Sequence, residues 1–226
     1  MELIDLTVEL AHGMVRHPAP HLPPVEIVPV ATHEVQKRSV QKVTFGTHVS
    51  THIDAPLHAI PGGQTIDCVP LDTLCGPAAL VRIAKPGKDQ PIDRVDLEPH
   101  QRLLTTAKRV IVETGWLQQT WGRREYFTEG TYLTRDAARY LAGFKIALFG
   151  MDFPNIDSNA ETKPGIPAPN HNIMLGTGMV LLENLTNLWR IPGESFELIA
   201  LPLRLVGGDG CPCRAVARLN GHGGRS

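Results

Sequence analysis

Two patterns of apolar residues along the 226-residue chain predict β-strands. One is alternation of apolar and polar positions, which is typical of a strand with one buried face. The other is a short apolar run bounded by glycine or proline, which is typical of a strand buried on both faces. Together they predict strands over residues 2–10, 25–30, 40–53, 78–83, 109–113, 146–150, 179–183, 198–201 and 214–219.

Helical signals are fewer than strand signals. Thr134 suits an N-cap, Asp136 falls in the first turn and Gly143 suits the end, so a helix is predicted over residues 134–143. A second helix is predicted over residues 96–104. We therefore expect an α/β (α+β) fold: a single domain over residues 1–226 with a mixed, partly barrel-like β-sheet and few helices.

Composition and charge exclude several classes of protein. The chain is 42% hydrophobic and 20% charged, as is ordinary for a soluble globular protein. A formal net charge of −1 argues against a nucleic-acid or anionic-membrane partner. No apolar run has transmembrane length and no signal peptide is recognised, so we expect a cytoplasmic protein. Its four cysteines are too few for a disulfide framework and are expected to be inert thiols.

The run H-V-S-T-H-I-D-A-P-L-H at residues 48–58 is the strongest chemical signal. His48, His52, Asp54 and His58 all occupy even positions, so an extended strand would place three imidazoles and a carboxylate on one face. A helix would separate Asp54 and His58 from the other two. The neighbouring residues are mostly β-branched or aromatic and favour the strand. Such a polar face predicts a metal site.

Two later segments carry side chains that a metal site would need. Glu183 ends an apolar run that begins a few residues after His171, and a buried carboxylate is costly unless it is paired or ligated. Asp152 follows the predicted strand 146–150, and the ends of buried strands are common places for functional side chains. Capping of the following loop is the alternative role for Asp152 and for Asp157. Asp209, among three glycines, is predicted to form a tight turn.

Four segments resemble, in the same order, motifs of the cyclase family, which includes bacterial kynurenine formamidases and isatin hydrolases. Residues 48–58 are similar to the family signature H-x-G-T-H-x-D-x-P-x-H. The segment from His171 to Glu183 matches H-x-x-x-L…E. The run G-M-D-F-P-N-I-D resembles G-x-D-x-x-S-x-D, and G-G-D-G-C-P-C-R at residues 207–214 resembles G-x-D-G-x-P-x-R. The resemblance runs from about residue 1 to residue 218.

This resemblance implies a cyclase-like fold and a metal centre. The positions that correspond to metal ligands are His48, His52, Asp54, His171 and Glu183. His58 corresponds to the catalytic acid/base. Because the ligands offer only nitrogen and oxygen, they suit Zn²⁺ or Mn²⁺. Asp54 and Glu183 are able to bridge two ions, so one or two ions per chain are both consistent with this set.

The chain departs from the family pattern at three places. Ser50 stands where the signature has glycine, from which we expect a small adjustment and no loss of the metal. Asn155 replaces a serine. Kynurenine formamidases carry a Trp-Pro-Gly-Asp-like loop near the N-terminus, whereas residues 15–20 are V-R-H-P-A-P. The candidates for substrate binding are His17 in this loop, Asp152 and Phe153. Phe153 and Trp116 are also candidates for completing the pocket of a neighbouring chain.

We therefore expect a metal-dependent hydrolase that cleaves a small amide, a formamide (arylformamidase-like) or a cyclic amide. The cation would activate water and polarise the carbonyl, and His58 would protonate the leaving nitrogen. One alternative is a metal-dependent cyclase or dehydratase of polyketide-like substrates. Another is a non-catalytic metal-binding protein, against which His58 argues, because metal storage needs no acid/base. The expected partners are a small-molecule substrate and, by resemblance, further copies of the chain in a homodimer or homotetramer.

Overall fold

The computed structural model describes residues 1–85, 87, 90–159 and 168–219, and within them the strands form a large sheet and a separate hairpin. The strands are β1 (Glu2–Asp5), β2 (Glu26–Ala31), β3 (Val40–Thr44), β4 (His52–Asp54), β5 (Cys75–Arg82), β6 (Arg109–Glu113), β7 (Leu148–Met151), β8 (Val180–Glu183), β9 (Ser195–Pro202) and β10 (Gly210–Leu219).

The large sheet closes into a ring of seven strands. Its order is β1-β10-β4-β8-β7-β6-β5-β9, and β9 pairs again with β10. Strands β5 to β8 are parallel neighbours, whereas β4, β9 and β10 pair antiparallel. The ten-residue β10 pairs with β4 through its first residues and with β1 through its last. The mixed, barrel-like sheet expected from the sequence is confirmed, and the β2–β3 hairpin lies outside the ring.

Two apolar clusters cover the two faces of this ring. Along β6, Val110 and Val112 belong to one cluster, and Ile111 between them belongs to the other. The first cluster also contains the apolar faces of most helices, and the second joins β9 and β10 to the N-terminal strand. Successive side chains of a strand point to opposite faces, so short, wholly apolar runs are explained by burial on both sides.

The prediction of one continuous strand over residues 40–53 is wrong. Strand β3 ends at Thr44 and β4 begins only at His52, with residues 45–51 forming bends between them. Ser50 adopts the left-handed backbone region, with φ of +58°, which interrupts an extended chain. His48 therefore lies outside any strand, and the even-position argument holds only for His52 and Asp54.

The helices are short. They are α1 (His33–Gln36), α2 (Leu71–Leu74), α3 (Arg94–Leu97), α4 (Gln101–Thr106), α5 (Trp116–Thr120), α6 (Glu125–Thr128), α7 (Arg135–Ala142) and α8 (Pro169–Leu175), with 3₁₀ turns at Pro56–His58, Ile66–Cys68, Glu98–His100 and Leu188–Arg190. Helix α7 confirms the first helix prediction, because the Thr134 hydroxyl accepts the N–H of Ala137 and Gly143 is the C-cap. Helices α3 and α4 replace the single helix expected over residues 96–104. In the part of the chain that the structure describes, none of these helices is long and apolar enough to cross a membrane.

Candidate metal centre

The centre is built on strand β4, which lies between β8 and β10. His52 and Asp54 share one face of this strand, and His52 lies directly opposite Glu183 at the end of β8. Its Nε2 atom is 3.3 Å from Asp54 Oδ1 and 3.5 Å from Glu183 Oε2. All three side chains are buried. The register of the two strands thus places one imidazole between two carboxylates.

His48 reaches the centre from the bend that precedes β4. Its Nδ1 atom is 2.6 Å from Asp54 Oδ1, and its Nε2 atom is 2.8 Å from Asp209 Oδ2. The ring lies against Gly210, where a Cβ atom would sit 2.8 Å from His48 Cε1 and 2.6 Å from the Ile53 carbonyl oxygen. Glycine at the start of β10 is therefore required for this approach. Asp209 does more than form a turn, because its carboxylate belongs to the centre.

His171 enters the centre from helix α8 and is oriented by Asp157. The Asp157 carboxylate accepts the backbone N–H groups of Asn170 and His171, and it lies 2.6 Å from His171 Nδ1. With Nδ1 donating to this carboxylate, Nε2 presents its lone pair 3.7 Å from Asp54 Oδ2 and 3.8 Å from Glu183 Oε1. A carboxylate on the outer nitrogen is the usual device that orients a metal-binding histidine.

His58 lies at the rim of the centre on the 3₁₀ turn that follows β4. Its ring centroid is 3.9 Å from that of His48 and 5.5 Å from that of His171, and its Nδ1 atom is 3.6 Å from Asp209 Oδ2. Its side chain keeps 33% of its exposure, against 11% or less for the five predicted ligands. Burial lowers the pKa of His58 below its ordinary value. The predicted acid/base is thus the imidazole of the centre that solvent reaches most.

The carboxylates of the centre favour positive charge. Burial lowers the pKa of His48, but the charges of Asp54 and Asp209 and their hydrogen bonds outweigh burial and raise that pKa to about 10. Burial also lowers the pKa of His171, but hydrogen bonds with Asp157 and Asp54 and the charge of Glu183 outweigh burial and raise that pKa to about 10. Burial and the Asp54 carboxylate raise the pKa of Glu183 to about 7. Protons on the imidazoles therefore compensate the negative charge when no other cation does so.

These donors fit a divalent metal ion. Oε1 of Glu183 is buried and has no hydrogen-bond partner among the described residues, which is unfavourable unless a cation lies beside it. Imidazole nitrogen and carboxylate oxygen together suit Zn²⁺ or Mn²⁺. Two groups of three donor atoms, each within 4.8 Å of one another, share Asp54: His48–His52–Asp54 and Asp54–His58–His171.

The centre opens into a cavity of about 1220 Å³, which the proline-rich loop at residues 16–23 also lines. His17, a candidate for substrate binding, lies in this lining. Its Nδ1 atom accepts the backbone N–H of Ala19, and its ring meets Phe127 edge-on at 6.0 Å. Burial and the neighbouring His21 lower the pKa of His17 below its ordinary value.

Two residues predicted to bind substrate lie away from the cavity. Phe153 is fully buried in the first apolar cluster. The buried Asp152 carboxylate accepts the backbone N–H and the hydroxyl of Thr114 and the backbone N–H of Gly115. Burial raises the pKa of Asp152 to about 6. The substrate contact predicted for Asp152 is therefore corrected: its carboxylate closes the loop after β6, a structural role like the loop-capping alternative but in a different loop from the one that follows Asp152.

Trp116 and Arg214 both make their polar contacts with residues of the same chain. Trp116 is buried, and its indole N–H donates to the carbonyl of Tyr126, so it is not exposed to a neighbouring subunit. Arg214 forms a two-point ion pair with Asp5 at the surface. It ties β10 to β1 and does not reach the centre.

Comparison with known protein families matches residues 4–158 to the Cyclase family. The chain belongs to the Cyclase family. Kynurenine formamidase from Salinibacter ruber is 36% identical to it over 178 residues, which cover 77% of each chain.

Solved structures agree with this family assignment. A crystal structure of an isatin hydrolase bound to the product analogue thioisatinate is similar with a TM-score of 0.81 and 25% identity, covering 96% of this chain and 91% of that one. A structure described as a predicted metal-dependent hydrolase from Bacillus stearothermophilus is similar with a TM-score of 0.77 and 27% identity, covering 96% and 97%. The expected cyclase-like fold is confirmed.

The Cyclase-family signature has glycine at position 50, and the backbone explains why. Ser50 has a φ of +58°, a conformation that glycine adopts without steric strain. Its hydroxyl donates to the Val8 carbonyl oxygen at 2.7 Å, which gives the extra side chain a place in the fold. His48 and His52, on either side of it, both still reach the centre.

Asp157 and Asp209 are the residues of the centre that sequence reasoning undervalued. Both lie in segments that resemble Cyclase-family motifs, so a signal was present. A carboxylate beside proline or glycine is most simply explained as a turn residue. Only the folded chain shows that Asp157 holds His171 and that Asp209 holds His48.

Proposed function

We propose that this chain hydrolyses the C–N bond of a small amide, a formamide of the arylformamidase type or a cyclic amide, with a divalent metal ion. One observation carries the proposal: the buried Glu183 carboxylate lacks a partner for Oε1 while the Nε2 atoms of His52 and His171 lie within 3.8 Å of its oxygens. Similarity to a kynurenine formamidase and an isatin hydrolase supports the choice of bond.

The metal ligands we propose are those that converge on the centre: His48, His52, Asp54, His171 and Glu183. We propose Zn²⁺ or Mn²⁺, with one or two ions per chain, because the donors are imidazole nitrogens and carboxylate oxygens. A divalent cation held there supplies Lewis acidity, which activates water and polarises a carbonyl group. Asp157 and Asp209 hold two of the imidazoles from outside and so fix the geometry of the site.

His58 moves the proton in this proposal. It lines the cavity, and Asp209 lies on the side of its Nδ1 atom, which leaves Nε2 to give a proton to the leaving nitrogen. An imidazole suits this task because it gains and loses a proton more readily near neutral pH than other side chains do, and burial, which lowers the pKa of His58, makes its protonated form a stronger proton donor. Asp209 also accepts a hydrogen bond from His48, so one carboxylate orients the acid/base relative to a ligand.

The rest of the cavity determines which amide enters. The half-buried His17 ring meets the buried Phe127 ring in the lining, and we propose that His17 contacts substrate there. Since the loop at residues 15–20 has no tryptophan, it does not hold an aromatic substrate as the kynurenine formamidase loop would. The substrate is therefore proposed as a class of small amides.

We propose a homodimer or homotetramer. The β2–β3 hairpin stands apart from the ring, and several of its valines are exposed: Val28, Val30, Val40 and Val43. Val28 pairs with Lys42 and Ile27 with Val43, so Val28 and Val43 lie on opposite faces and apolar side chains reach solvent on both faces of the hairpin. Exposed apolar surface of this kind commonly marks an interaction surface. Sedimentation velocity of the purified chain would show a single species of twice or four times the chain mass, and a monomer at all concentrations would contradict this.

The cytoplasmic location and the single domain over residues 1–226 stay predictions.

A substrate screen with metal-loaded protein tests the proposed reaction. Aryl formamides and cyclic aryl amides are offered to the Zn²⁺- and Mn²⁺-loaded chain, beside a polyketide-like ketone. We expect hydrolysis of at least one amide and a loss of about 10²–10⁴-fold in rate for His58→Gln. His100→Gln, on the Glu98–His100 turn, is the matched control and should keep the rate. Turnover of the ketone alone, or undiminished turnover in His58→Gln, would overturn the proposal.

A further inference from the structure

Asn184 directly follows Glu183 and links the metal centre to a buried tyrosine. Its side-chain Oδ1 accepts the hydroxyl of Tyr126 at 2.6 Å, and its Nδ2 donates to the Ser50 carbonyl oxygen at 2.7 Å. Asn184 is 3% exposed and Tyr126 is fully buried, so water does not satisfy these groups in their place. Asn184 also has a φ of +61°, which asparagine tolerates better than most residues.

The Ser50 carbonyl oxygen that Asn184 holds also contacts His52. His52 Nδ1 lies 3.0 Å from this oxygen. Because a carbonyl oxygen only accepts, the contact requires the proton on Nδ1 and leaves the lone pair on Nε2. Nε2 is the atom that faces Asp54 and Glu183 in the centre.

Asn184 Nδ2 also lies 3.4 Å from His52 Nδ1. Because Nδ1 donates to the Ser50 carbonyl oxygen at 3.0 Å, it offers this amide no lone pair, and the shorter 2.7 Å bond to Ser50 is the one that Nδ2 makes. The direction of each hydrogen bond is then fixed by chemistry. The Ser50 carbonyl oxygen requires the NH₂ group of Asn184, so the amide oxygen must face Tyr126, which must then donate. If the tyrosine hydroxyl were absent, the amide oxygen would be buried without a partner. Rotation of the amide to relieve this would turn its oxygen against the Ser50 carbonyl oxygen.

The packing around Tyr126 holds its ring and hydroxyl in place. Its ring packs edge-on against Trp121 at 5.1 Å and Phe127 at 4.8 Å, and its carbonyl oxygen accepts the indole N–H of Trp116. Phe127 in turn lines the cavity. The hydroxyl of Tyr126 is therefore held by rigid aromatic packing on helix α6, remote in sequence from both β4 and β8.

We propose that Asn184 and Tyr126 are positioning residues for His52. Through the Ser50 carbonyl oxygen they select the protonated nitrogen and the ring orientation that turn Nε2 toward the metal centre. Tyr126 lies outside the cavity lining, and Asn184 lines the cavity but directs its amide groups to Tyr126 and Ser50. The inference depends on the proposed metal binding and adds to it the part of the chain that prepares one ligand.

Metal affinity and stability of the apoprotein separate this role from a merely structural one. The variants are Tyr126→Phe, which removes one oxygen atom, and Asn184→Gly, which tolerates the positive φ. Dissociation constants for Zn²⁺ are measured by competition with a chromophoric chelator, and apoprotein stability by urea unfolding. The matched control is Thr131→Val, which removes a buried hydroxyl that donates to the Gln90 carbonyl oxygen and lies outside the cavity lining.

We expect Asn184→Gly to weaken Zn²⁺ binding by about 10-fold, the lower end of the usual range for outer partners of a ligand. Tyr126→Phe should weaken it by between about 3- and 10-fold. In the Asn184→Gly background, Tyr126→Phe should have no further effect on affinity, because it acts through the amide. Thr131→Val should lose apoprotein stability and keep its affinity for Zn²⁺.

Three results would overturn the inference. Both variants could lose apoprotein stability with unchanged Zn²⁺ affinity, which would make the contacts structural only. Additive effects of the two substitutions would show that Tyr126 does not act through Asn184. If Asn184→Gly does not fold, unchanged affinity in Tyr126→Phe is decisive alone. A wild-type chain that binds no Zn²⁺ or Mn²⁺ would instead refute the proposed function itself.

Discussion

Ser50 shows how opposing effects of similar size decide what one position tolerates. Its left-handed backbone is unfavourable by roughly 1–2 kcal/mol for a residue that carries a Cβ atom. Its hydroxyl donates to the buried Val8 carbonyl oxygen, and a hydrogen bond of this kind contributes roughly 0.5–1.5 kcal/mol. The two effects nearly balance, so the chain keeps both the bend and the ligands on either side of it.

Substitution of Ser50 separates these effects. Ser50→Ala keeps the backbone strain and loses the hydrogen bond, so we expect the free energy of unfolding to fall by about 1–2 kcal/mol. Ser50→Gly also loses the bond but relieves the strain, and its stability should lie closer to that of the wild type. Urea unfolding of the apoproteins measures both. A glycine variant less stable than the alanine variant would contradict this account.

Asp157 and Asp152 form a matched pair of buried carboxylates. Each accepts backbone N–H groups, but only Asp157 also accepts from a histidine. In Asp157→Asn an NH₂ group facing His171 would favour the wrong tautomer, so we expect metal affinity to fall by about 10–100-fold. Asp152→Asn should be destabilised by about 1–3 kcal/mol with unchanged metal affinity. Equal affinities in the two variants would refute the role given to Asp157.

Asp152 also predicts a pH dependence of stability. Burial, with a smaller effect of Glu113, raises its pKa to about 6 in the folded chain, above the ordinary 3.8. The folded state therefore binds more protons between these values. The stability from this group is fully present below pH 3.8 and is lost as the pH rises through 6.

Urea unfolding across this pH range tests the linkage. Between pH 4 and pH 7 the wild type should lose stability relative to Asp152→Asn by an amount on the order of 3 kcal/mol. The difference is informative because other carboxyl groups titrate equally in both proteins. Parallel stability profiles would show that Asp152 has an ordinary pKa in the fold.

At the scale of elements, the metal centre depends on how closely β4 and β10 pair. His52 and Asp54 lie on β4, Gly210 begins β10 opposite Asp54, and the His48 ring packs over this glycine. Strands β4 and β10 thus hold the centre only if their backbones approach each other at Gly210 with no side chain between them. Strand β4 is only three residues long, so its position is defined by its neighbours β8 and β10.

Gly210→Ala should disturb this pairing. A Cβ atom there would lie 2.6 Å from the Ile53 carbonyl oxygen, so the strands or the His48 ring must shift. We expect a loss of about 1–3 kcal/mol in stability, typical of overpacking, together with weaker metal binding. Gly143→Ala, at the end of α7 with a φ of −75°, is the control and should keep its metal. Wild-type metal affinity in Gly210→Ala would contradict the proposed packing.

The sequence predicted an element correctly where the spacing of its apolar or polar residues matched the faces that the fold buries. Alternation placed His52 and Asp54 on one face, and the apolar run before Glu183 predicted β8. His48 was assigned to a strand because nothing in a serine at position 50 signals a left-handed turn. The one-turn helices were missed because four or five residues hold too little periodicity to detect.

At the scale of the whole molecule, the centre gathers side chains that are far apart in sequence. Residues 48–58, Asp157, His171, Glu183 and Asp209 come from separate segments and meet only when the seven-stranded ring has closed. Metal binding and folding are therefore linked, since an ion that binds only the folded chain stabilises it by mass action. Contacts between distant elements, such as Asp209 with His48, could not be predicted from local patterns.

Metal content tests the central claim most directly. The purified chain, before and after incubation with Zn²⁺ or Mn²⁺, is analysed by inductively coupled plasma mass spectrometry beside a His48→Ala/His52→Ala double variant. We predict about one or two equivalents of Zn or Mn per chain, lost in the double variant. A chain that holds no metal even after incubation, or a double variant that holds as much as the wild type, would contradict the proposed centre.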